Sequence, residues 1–192
     1  MENISKVIFL DIDGVLQPFS QNRFDHIYNK DVDEMGQLYA KLGEDFGVDY
    51  SKYDKYDVAA VYWDWSKSAV AELKRVLNET GAKIVLSSDW KGKTMDRMID
   101  FFKIYDLDKF FVGATMVTSG DSMKPFLKKK EYQHLEYRVI EILEYLREHP
   151  QITKYVAIDD MNLSKLGEQH FVQTGSRLTK ELADKCIELL NN

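Results

Sequence analysis

An apolar run that stops abruptly at two carboxylates is the strongest constraint on the fold, and it occupies residues 6–16 (KVIFLDIDGVL). Residues 7–10 are too few for a helix and have no polar side, so they predict a strand buried on both faces of a sheet. Asp11 and Asp13 follow at once, and Gly14 permits a turn after them. Two carboxylates this close to a buried strand repel each other, so a bound cation or a reaction is needed to account for them.

Two further apolar runs end in the same way. Residues 84–86 run into Ser87, and residues 155–158 run into the adjacent pair Asp159 and Asp160. In a parallel sheet the carboxyl ends of the strands meet at one edge, where open α/β folds bind their ligands. We therefore expect both acidic pairs to form one cluster at this edge, suited to a hard divalent cation.

Helical segments separate the strands, which is typical of a doubly wound parallel α/β sheet with right-handed crossovers. Apolar spacing of three and four residues predicts helices over 66–78, 94–104, 135–147 and a last helix after Thr179. Residues 110–112 predict a third strand, and residues 170–174 predict an edge strand. The first strand should be central in the sheet, with the strand that ends in the aspartate pair beside it.

These segments together resemble the four motifs of the haloacid dehalogenase (HAD) superfamily of phosphohydrolases. DIDGVL at residues 11–16 resembles the first motif, the serine after the second apolar strand resembles the second, and IDD at residues 158–160 resembles the fourth. The third motif is a basic residue at a helix start, roughly twenty residues before the fourth, and Arg138 occupies that position in place of the more usual lysine. Lys128 and Lys130 are alternatives for this cation.

The resemblance extends over roughly residues 4–16 and 66–190. With R-x-x-E-I and HFVQT included, the set is similar to a subgroup of HAD domains attached to RNA-repair proteins. The resemblance implies a HAD-like, Rossmannoid fold.

The resemblance also implies a phosphatase mechanism. Asp11 would be the nucleophile that forms an aspartyl-phosphate, and Asp13 would protonate the leaving oxygen and then activate the water. Ser87 and Arg138 would hold the equatorial phosphoryl oxygens, where charge gathers in the transition state. Haloacid dehalogenases lack the second acid, so the presence of Asp13 favours phosphate chemistry.

Mg²⁺ is the cofactor that this resemblance implies. Its ligands would be the Asp11 carboxylate, the backbone carbonyl of Asp13 and the Asp159 carboxylate, with waters and a phosphate oxygen completing an octahedron. Asp160 would bind the cation directly or through water.

Four side chains that follow the second motif or lie in the lysine run are candidates for binding the substrate: Ser88, Trp90, Lys91 and Lys130. Trp90 offers a stacking face, or simply packs in the core. Lys93 is close enough in sequence to line the same pocket. The run KPFLKKK at residues 124–130 holds four lysines and no acid, so it is either a basic lip for an anionic substrate or a solvated loop.

Residues 17–65 separate the first strand from the first core helix, so the catalytic core would comprise residues 1–16 and 66–192. Within this insertion, residues 31–42 predict a short helix, and the rest is rich in tyrosine and aspartate. The segment is long for a connection inside one domain. It is either a small cap over the active site or a surface elaboration whose aromatic residues pack against the core.

Composition narrows the class of protein. The 192 residues carry a net charge of −6, which argues against a general nucleic-acid coat protein. The single cysteine, Cys186, makes no internal disulfide and is expected to be a buried thiol. No apolar run is long enough for a membrane span and no signal-peptide pattern opens the sequence, so we expect a cytoplasmic protein with no membrane partner.

Three functions follow from these observations. The first is a Mg²⁺-dependent phosphatase acting on a small phosphomonoester. The second is a phosphatase acting on nucleic-acid or nucleotide ends, which the lysine run and Trp90 favour and the acidic insertion and overall charge oppose. The third is a HAD-like domain that binds a phosphorylated ligand without turnover, whose expected sign is loss of Asp11 or Asp13; both are present.

Overall fold

A computed structural model describes residues 4–19, 32–92, 94–116 and 124–192 of the chain. The described strands are β1 (Lys6–Leu10), β2 (Lys83–Leu86), β3 (Phe111–Ala114), β4 (Lys154–Asp159) and β5 (Phe171–Gln173). The described α-helices are α1 (Val32–Phe46), α2 (Lys55–Ala59), α3 (Lys67–Thr80), α4 (Met95–Lys103), α5 (Lys124–Leu127), α6 (Tyr137–Glu148) and α7 (Lys180–Asn191).

The strands form one parallel sheet in the order β3-β2-β1-β4-β5. Val7 of β1 pairs with Lys83 of β2, and Lys6 pairs with Lys154 of β4. The prediction of a doubly wound parallel α/β sheet, with the first strand central and the strand of the aspartate pair beside it, is confirmed. The short strand β5 lies at one edge, as predicted.

Three helices begin at the caps that the sequence indicates. Ser66, Thr94 and Thr179 each accept a hydrogen bond from the backbone N–H three residues later, at the start of α3, α4 and α7. Helix α6 begins at Tyr137, two residues later than predicted, because Glu136 is still extended. No helix in the described ranges combines the length and the apolar character that crossing a membrane requires.

Alternate side chains of the sheet enter two separate apolar cores. Ile8 and Leu10 of β1 belong to the larger core, which α3, α4 and α7 cover. Val7 and Phe9 face the opposite side, where they pack against α6. Cys186 of α7 is buried in the larger core as a free thiol, as predicted, and burial raises its pKa to about 12.

The described residues of the insertion pack against the region of α4. The Tyr50 hydroxyl donates to the backbone carbonyl of Asp100 (2.7 Å), and the Tyr53 hydroxyl donates to the Asp100 carboxylate (2.7 Å). The Trp65 ring stacks on Tyr105, with centroids 5.6 Å apart. These aromatic residues therefore belong to the wall of the core, and a closing movement over the site stays a prediction.

Candidate active site

The carboxyl ends of β1, β2 and β4 meet at one edge of the sheet, and strand pairing continues one residue beyond them. The N–H of Asp11 donates to the carbonyl of Ile158 (3.0 Å), and the N–H of Ser87 donates to the carbonyl of Leu10 (2.8 Å). The apolar strands are in register, so the polar residues that end them lie side by side.

Three carboxylates converge at this edge. Asp11, Asp159 and Asp160 each present an oxygen, and these oxygens all lie within 4.8 Å of one another. Asp11 is 5% exposed and Asp159 is 1% exposed. The structure thus brings Asp11 of the first motif and both aspartates of the fourth motif into one largely buried cluster.

Burial leaves the charge of this cluster poorly compensated. Burial raises the pKa of Asp11 to about 6, although the charge of Arg138 and a hydrogen bond from Ser88 both act to lower it. Burial and the charge of Asp11 raise the pKa of Asp159 to about 7, again against the attraction of Arg138. The nearby guanidinium therefore offsets only part of the cost of burying these carboxylates.

Arg138 reaches this cluster from the first turn of α6. Its Nη1 lies 3.3 Å from an Asp11 oxygen and 3.5 Å from an Asp159 oxygen, and it also donates to the backbone carbonyl of Ser87. Its Nη2 lies 3.2 Å from a carboxylate oxygen of Asp89. The side chain is buried, so the planar donor fork is held at the strand ends.

Gly14 allows the two acidic turns to approach each other. Its φ of +73° is in the left-handed region, and its N–H donates to the carbonyl of Gln17 (2.7 Å). A Cβ at this position would lie 2.6 Å from the Asp160 Cβ. Glycine is therefore required both by the backbone and by the space that Asp160 occupies.

Asp13 stands beside the cluster rather than in it. Its Oδ2 accepts a hydrogen bond from the indole Nε1 of Trp90 (3.1 Å). The Trp90 ring is 7% exposed and packs edge-on against Trp65 and Phe101. Trp90 thus meets the site through its N–H donor, and its predicted role in binding substrate stays a prediction.

The two serines that follow β2 have different surroundings. Both are buried. The Ser88 hydroxyl hydrogen-bonds to Asp11, whereas the Ser87 hydroxyl has no hydrogen-bond partner among the described residues. Ser88 is therefore the hydroxyl that contacts the first-motif carboxylate.

The predicted lysines are divided between the site and the surface. Lys91 forms a buried ion pair with Glu141 of α6. Lys130 is exposed and lines neither of the two pockets described below, whereas its neighbour Lys129 pairs with Glu144 (2.6 Å). Lys93 lies outside the described residues.

Two adjoining pockets open at this edge. The inner pocket, about 290 Å³, is lined by Asp11, Asp13 and Asp160 among others. The outer cleft, about 450 Å³, is lined by Tyr137 and the Lys91–Glu141 pair among others. Three residues line both pockets: Asp89, Arg138 and Met161. A ligand with a small charged end in the inner pocket therefore has room for a larger group outside it.

Sequence reasoning missed several of the lining residues. Phe19, Tyr137 and Met161 are exposed apolar side chains at the mouth of the pockets, and no motif marks them. Glu141 could have been predicted to lie near the site, because it follows Arg138 by three residues and therefore shares its face of the helix.

The carboxylate cluster suits a hard cation. It supplies only oxygen donors, which Mg²⁺ prefers, and two of its members are buried with raised pKa values. A bound divalent cation would relieve this excess of negative charge, so the residues present fit the predicted Mg²⁺.

Comparison with known proteins agrees with this geometry. No curated protein and no solved structure gives a significant match. A family model described as "HAD domain in Swiss Army Knife RNA repair proteins" matches residues 7–183, a range that also includes the insertion. The predicted resemblance is thereby confirmed, and the chain belongs to the family of HAD domains found in Swiss Army Knife RNA repair proteins.

Proposed function

We propose that this protein is a Mg²⁺-dependent phosphatase that hydrolyses a phosphomonoester through an aspartyl-phosphate on Asp11. One observation carries the proposal. A buried guanidinium, that of Arg138, lies within 3.5 Å of two members of a carboxylate cluster at the inner pocket. Membership in a HAD family supports phosphohydrolase chemistry in general.

In the first step, an Asp11 oxygen attacks phosphorus and the bond from phosphorus to the leaving oxygen breaks. Asp13 gives its proton to that oxygen, which leaves as an alcohol. In the second step, Asp13 takes a proton from water as the water oxygen attacks phosphorus. The bond from phosphorus to Asp11 then breaks, and inorganic phosphate is released.

Arg138 and Ser88 hold the phosphoryl oxygens in this proposal. Arg138 stabilises negative charge on the equatorial oxygens from its fixed position at the strand ends. Ser88 is preferred to Ser87 for the second-motif hydroxyl, because its hydroxyl already contacts the nucleophile. Ser87 contributes through its backbone, which accepts a hydrogen bond from Arg138.

The side chains of Asp11, Asp159 and Asp160 and the carbonyl of Asp13 would hold Mg²⁺. When bound, the cation supplies positive charge that neutralises the phosphoryl oxygens and the clustered carboxylates.

A nucleotide or nucleic-acid end is the second candidate substrate. Among the described residues, six large apolar side chains are exposed, and three of them surround the two pockets: Phe19, Tyr137 and Met161. Such a rim suits a flat base next to a bound phosphate, since bases stack on aromatic side chains. The RNA-repair context of the family agrees with this substrate.

Phosphate release from a substrate panel tests the proposal. The panel contains an aryl phosphate, sugar phosphates, mononucleotides, and oligonucleotides phosphorylated at the 3′ or the 5′ end. Turnover should require Mg²⁺ and should be lost in Asp11→Asn. A folded protein that binds Mg²⁺ but turns over none of these substrates would instead support a domain that binds a phosphorylated ligand without hydrolysing it.

Tyr137→Ala distinguishes the two substrate classes. If the rim binds a base, this variant should raise KM for an oligonucleotide by about tenfold and leave KM for a small sugar phosphate unchanged. Tyr56→Ala is the matched control, because Tyr56 is an exposed tyrosine that lines neither pocket. An equal effect on both substrates would exclude a base-binding role.

The cytoplasmic location expected from the sequence stays a prediction.

A further inference from the structure

We propose that Trp90 is a positioning residue that holds the Asp13 carboxylate in the orientation needed for proton transfer. This inference rests on the proposed function, because it assigns Asp13 the role of general acid. It gives Trp90 a role through its indole N–H, distinct from stacking on a substrate ring.

The contact between the two side chains is direct. Trp90 Nε1 lies 3.1 Å from Asp13 Oδ2, a normal hydrogen-bond distance. An indole N–H only donates, so Asp13 Oδ2 is the acceptor of this bond. In a protonated carboxyl group the oxygen without the proton is the stronger acceptor, so the proposal places the transferred proton on Oδ1. The bond thus selects which carboxyl oxygen faces the leaving group.

The Trp90 ring is held rigidly enough to set this orientation. It is nearly buried, and it contacts the rings of Trp65 and Phe101 at centroid distances of 6.1 and 6.3 Å. A donor that is fixed by packing restricts its acceptor more than a mobile surface side chain does.

The short 3₁₀ turn that carries Trp90, Asp89–Gly92, is attached to α6 on both sides of the tryptophan. Asp89 pairs with Arg138 (3.2 Å), and Lys91 pairs with Glu141 in a contact that is almost fully buried. The same helix therefore supports the cation at the phosphoryl site and the turn that orients the acid.

The consequence is specific to the first chemical step. When the bond between phosphorus and the leaving oxygen breaks, its electron pair goes to that oxygen, which takes the proton from Asp13 Oδ1. An alkoxide is a poor leaving group, so an alkyl phosphate needs this proton. A dinitrophenolate is stable as an anion, so dinitrophenyl phosphate does not need it.

Trp90→Phe tests the inference, because it keeps an aromatic ring in the core and removes the donor, at the cost of some buried volume. The quantity measured is kcat/KM, which reports the steps up to formation of the aspartyl-phosphate. For an alkyl phosphate we expect a decrease of about 10- to 100-fold, the effect of losing a hydrogen bond to a charged group. For dinitrophenyl phosphate we expect a change of less than about twofold.

Trp65→Phe is the matched control. Trp65 belongs to the same aromatic cluster, but its indole nitrogen has no hydrogen-bond partner among the described residues. This variant loses a similar volume from the same cluster but keeps the Trp90 donor, so it should lower kcat/KM for the alkyl phosphate much less than Trp90→Phe does. In a second comparison, adding Trp90→Phe to Asp13→Asn should cause no further loss on the alkyl phosphate, because the two side chains act as a unit.

Three results would overturn the inference: equal losses on both substrates, the same loss in Trp65→Phe, or additive effects of Trp90→Phe and Asp13→Asn. Failure of the proposed function would look different. In that case the wild-type protein would show no turnover that depends on Asp11, and the role of Trp90 would fall with it.

Discussion

Buried carboxylates occur in two settings in this molecule, and their pKa values move in opposite directions. Glu144, on the outer part of α6, is fully buried and accepts hydrogen bonds from Lys129, Tyr132 and Arg147. Although burial works against its charge, these hydrogen bonds lower the pKa of Glu144. Asp11 and Asp159 at the sheet edge are buried too, yet their pKa values rise to about 6 and about 7.

The difference is one of compensation. Around Glu144, one carboxylate has three donors, two of them cations. At the sheet edge, three carboxylates meet one buried guanidinium. The partners of Glu144 are partly exposed cations near the surface, so its charge is well compensated, whereas the deeper carboxylates at the sheet edge keep an excess of negative charge. A bound cation would relieve this excess of negative charge and would let an anionic phosphoryl group approach the carboxylates.

Asp11→Asn should produce the largest effect. Loss of the nucleophile should lower turnover by about 10³-fold or more, while removal of one clustered charge should leave Tm unchanged or raise it. Phosphate release and thermal denaturation of the same preparation measure both. Asp96→Asn, an exposed aspartate on α4, is the control. A variant that keeps its turnover would show that another residue is the nucleophile.

Arg138→Gln should have the next largest effect. Removing the cation should lower kcat/KM by about 100-fold, because Arg138 is the buried positive charge that contacts the cluster. Arg138→Lys should recover part of this loss, since a single ammonium does not reproduce the guanidinium fork. Steady-state kinetics with Arg147→Gln as an exposed control on α6 checks the prediction. Full activity in Arg138→Gln would return Lys128 and Lys130 as candidates.

Glu144→Gln should change stability and spare catalysis. The lowered pKa means that the charge of Glu144 contributes stability above its unfolded-state pKa, and this contribution is lost as pH falls through the folded-state value. Replacing the charge should lower the free energy of unfolding by about 2 kcal/mol at neutral pH. Urea denaturation measures this change, with the exposed Glu148→Gln as control. A loss of turnover without a loss of stability would show that Glu144 acts in catalysis and does not stabilise the fold.

The pH dependence of the metal-free protein should reveal the uncompensated charge of the cluster without any substitution. The folded state holds the protons of Asp11 and Asp159 more tightly than the unfolded chain does, because both folded-state pKa values are raised. Their contribution favours folding at low pH and is lost as pH rises through about 7. From about pH 5 to about pH 8 in EDTA, we expect the free energy of unfolding to fall by up to ~4 kcal/mol, and Tm to fall with it.

Asp159→Asn should flatten this decline. In excess Mg²⁺, the stability of the wild-type protein should instead rise with pH, because the cation competes with protons for the same oxygens. An unchanged slope in Asp159→Asn would show that other groups cause the pH dependence.

The fold was predictable from the sequence because its strands are short apolar runs that end in polar residues. The convergence of Asp11 with Asp159 and Asp160 follows from parallel pairing alone, since register places the residues after β1 and β4 side by side. Arg138 was found from its position before the fourth motif, and the structure brings its guanidinium to that cluster.

Side-chain contacts between distant segments were not predictable. The hydrogen bond from Trp90 to Asp13 and the pair of Lys91 with Glu141 each join residues at least fifty positions apart. Such contacts depend on how a turn packs on a helix, and local periodicity does not describe that packing. Lys130 was predicted to bind substrate from a run of lysines, but it lines neither pocket. A charge run indicates a basic surface and does not say which pocket that surface faces.

The strand order has a consequence for how the protein is made. β1 leaves the ribosome before the other described strands, but its neighbours are synthesised much later: Val7 pairs with Lys83, and Lys6 pairs with Lys154. Pairings across such long stretches of chain must close large loops before any contact stabilises them. The aspartates of β1 and β4 therefore come together only when nearly the whole domain has been synthesised. Tight Mg²⁺ binding during synthesis would accordingly report that the sheet is complete, and a nascent chain stopped before β4 would lack the cluster altogether.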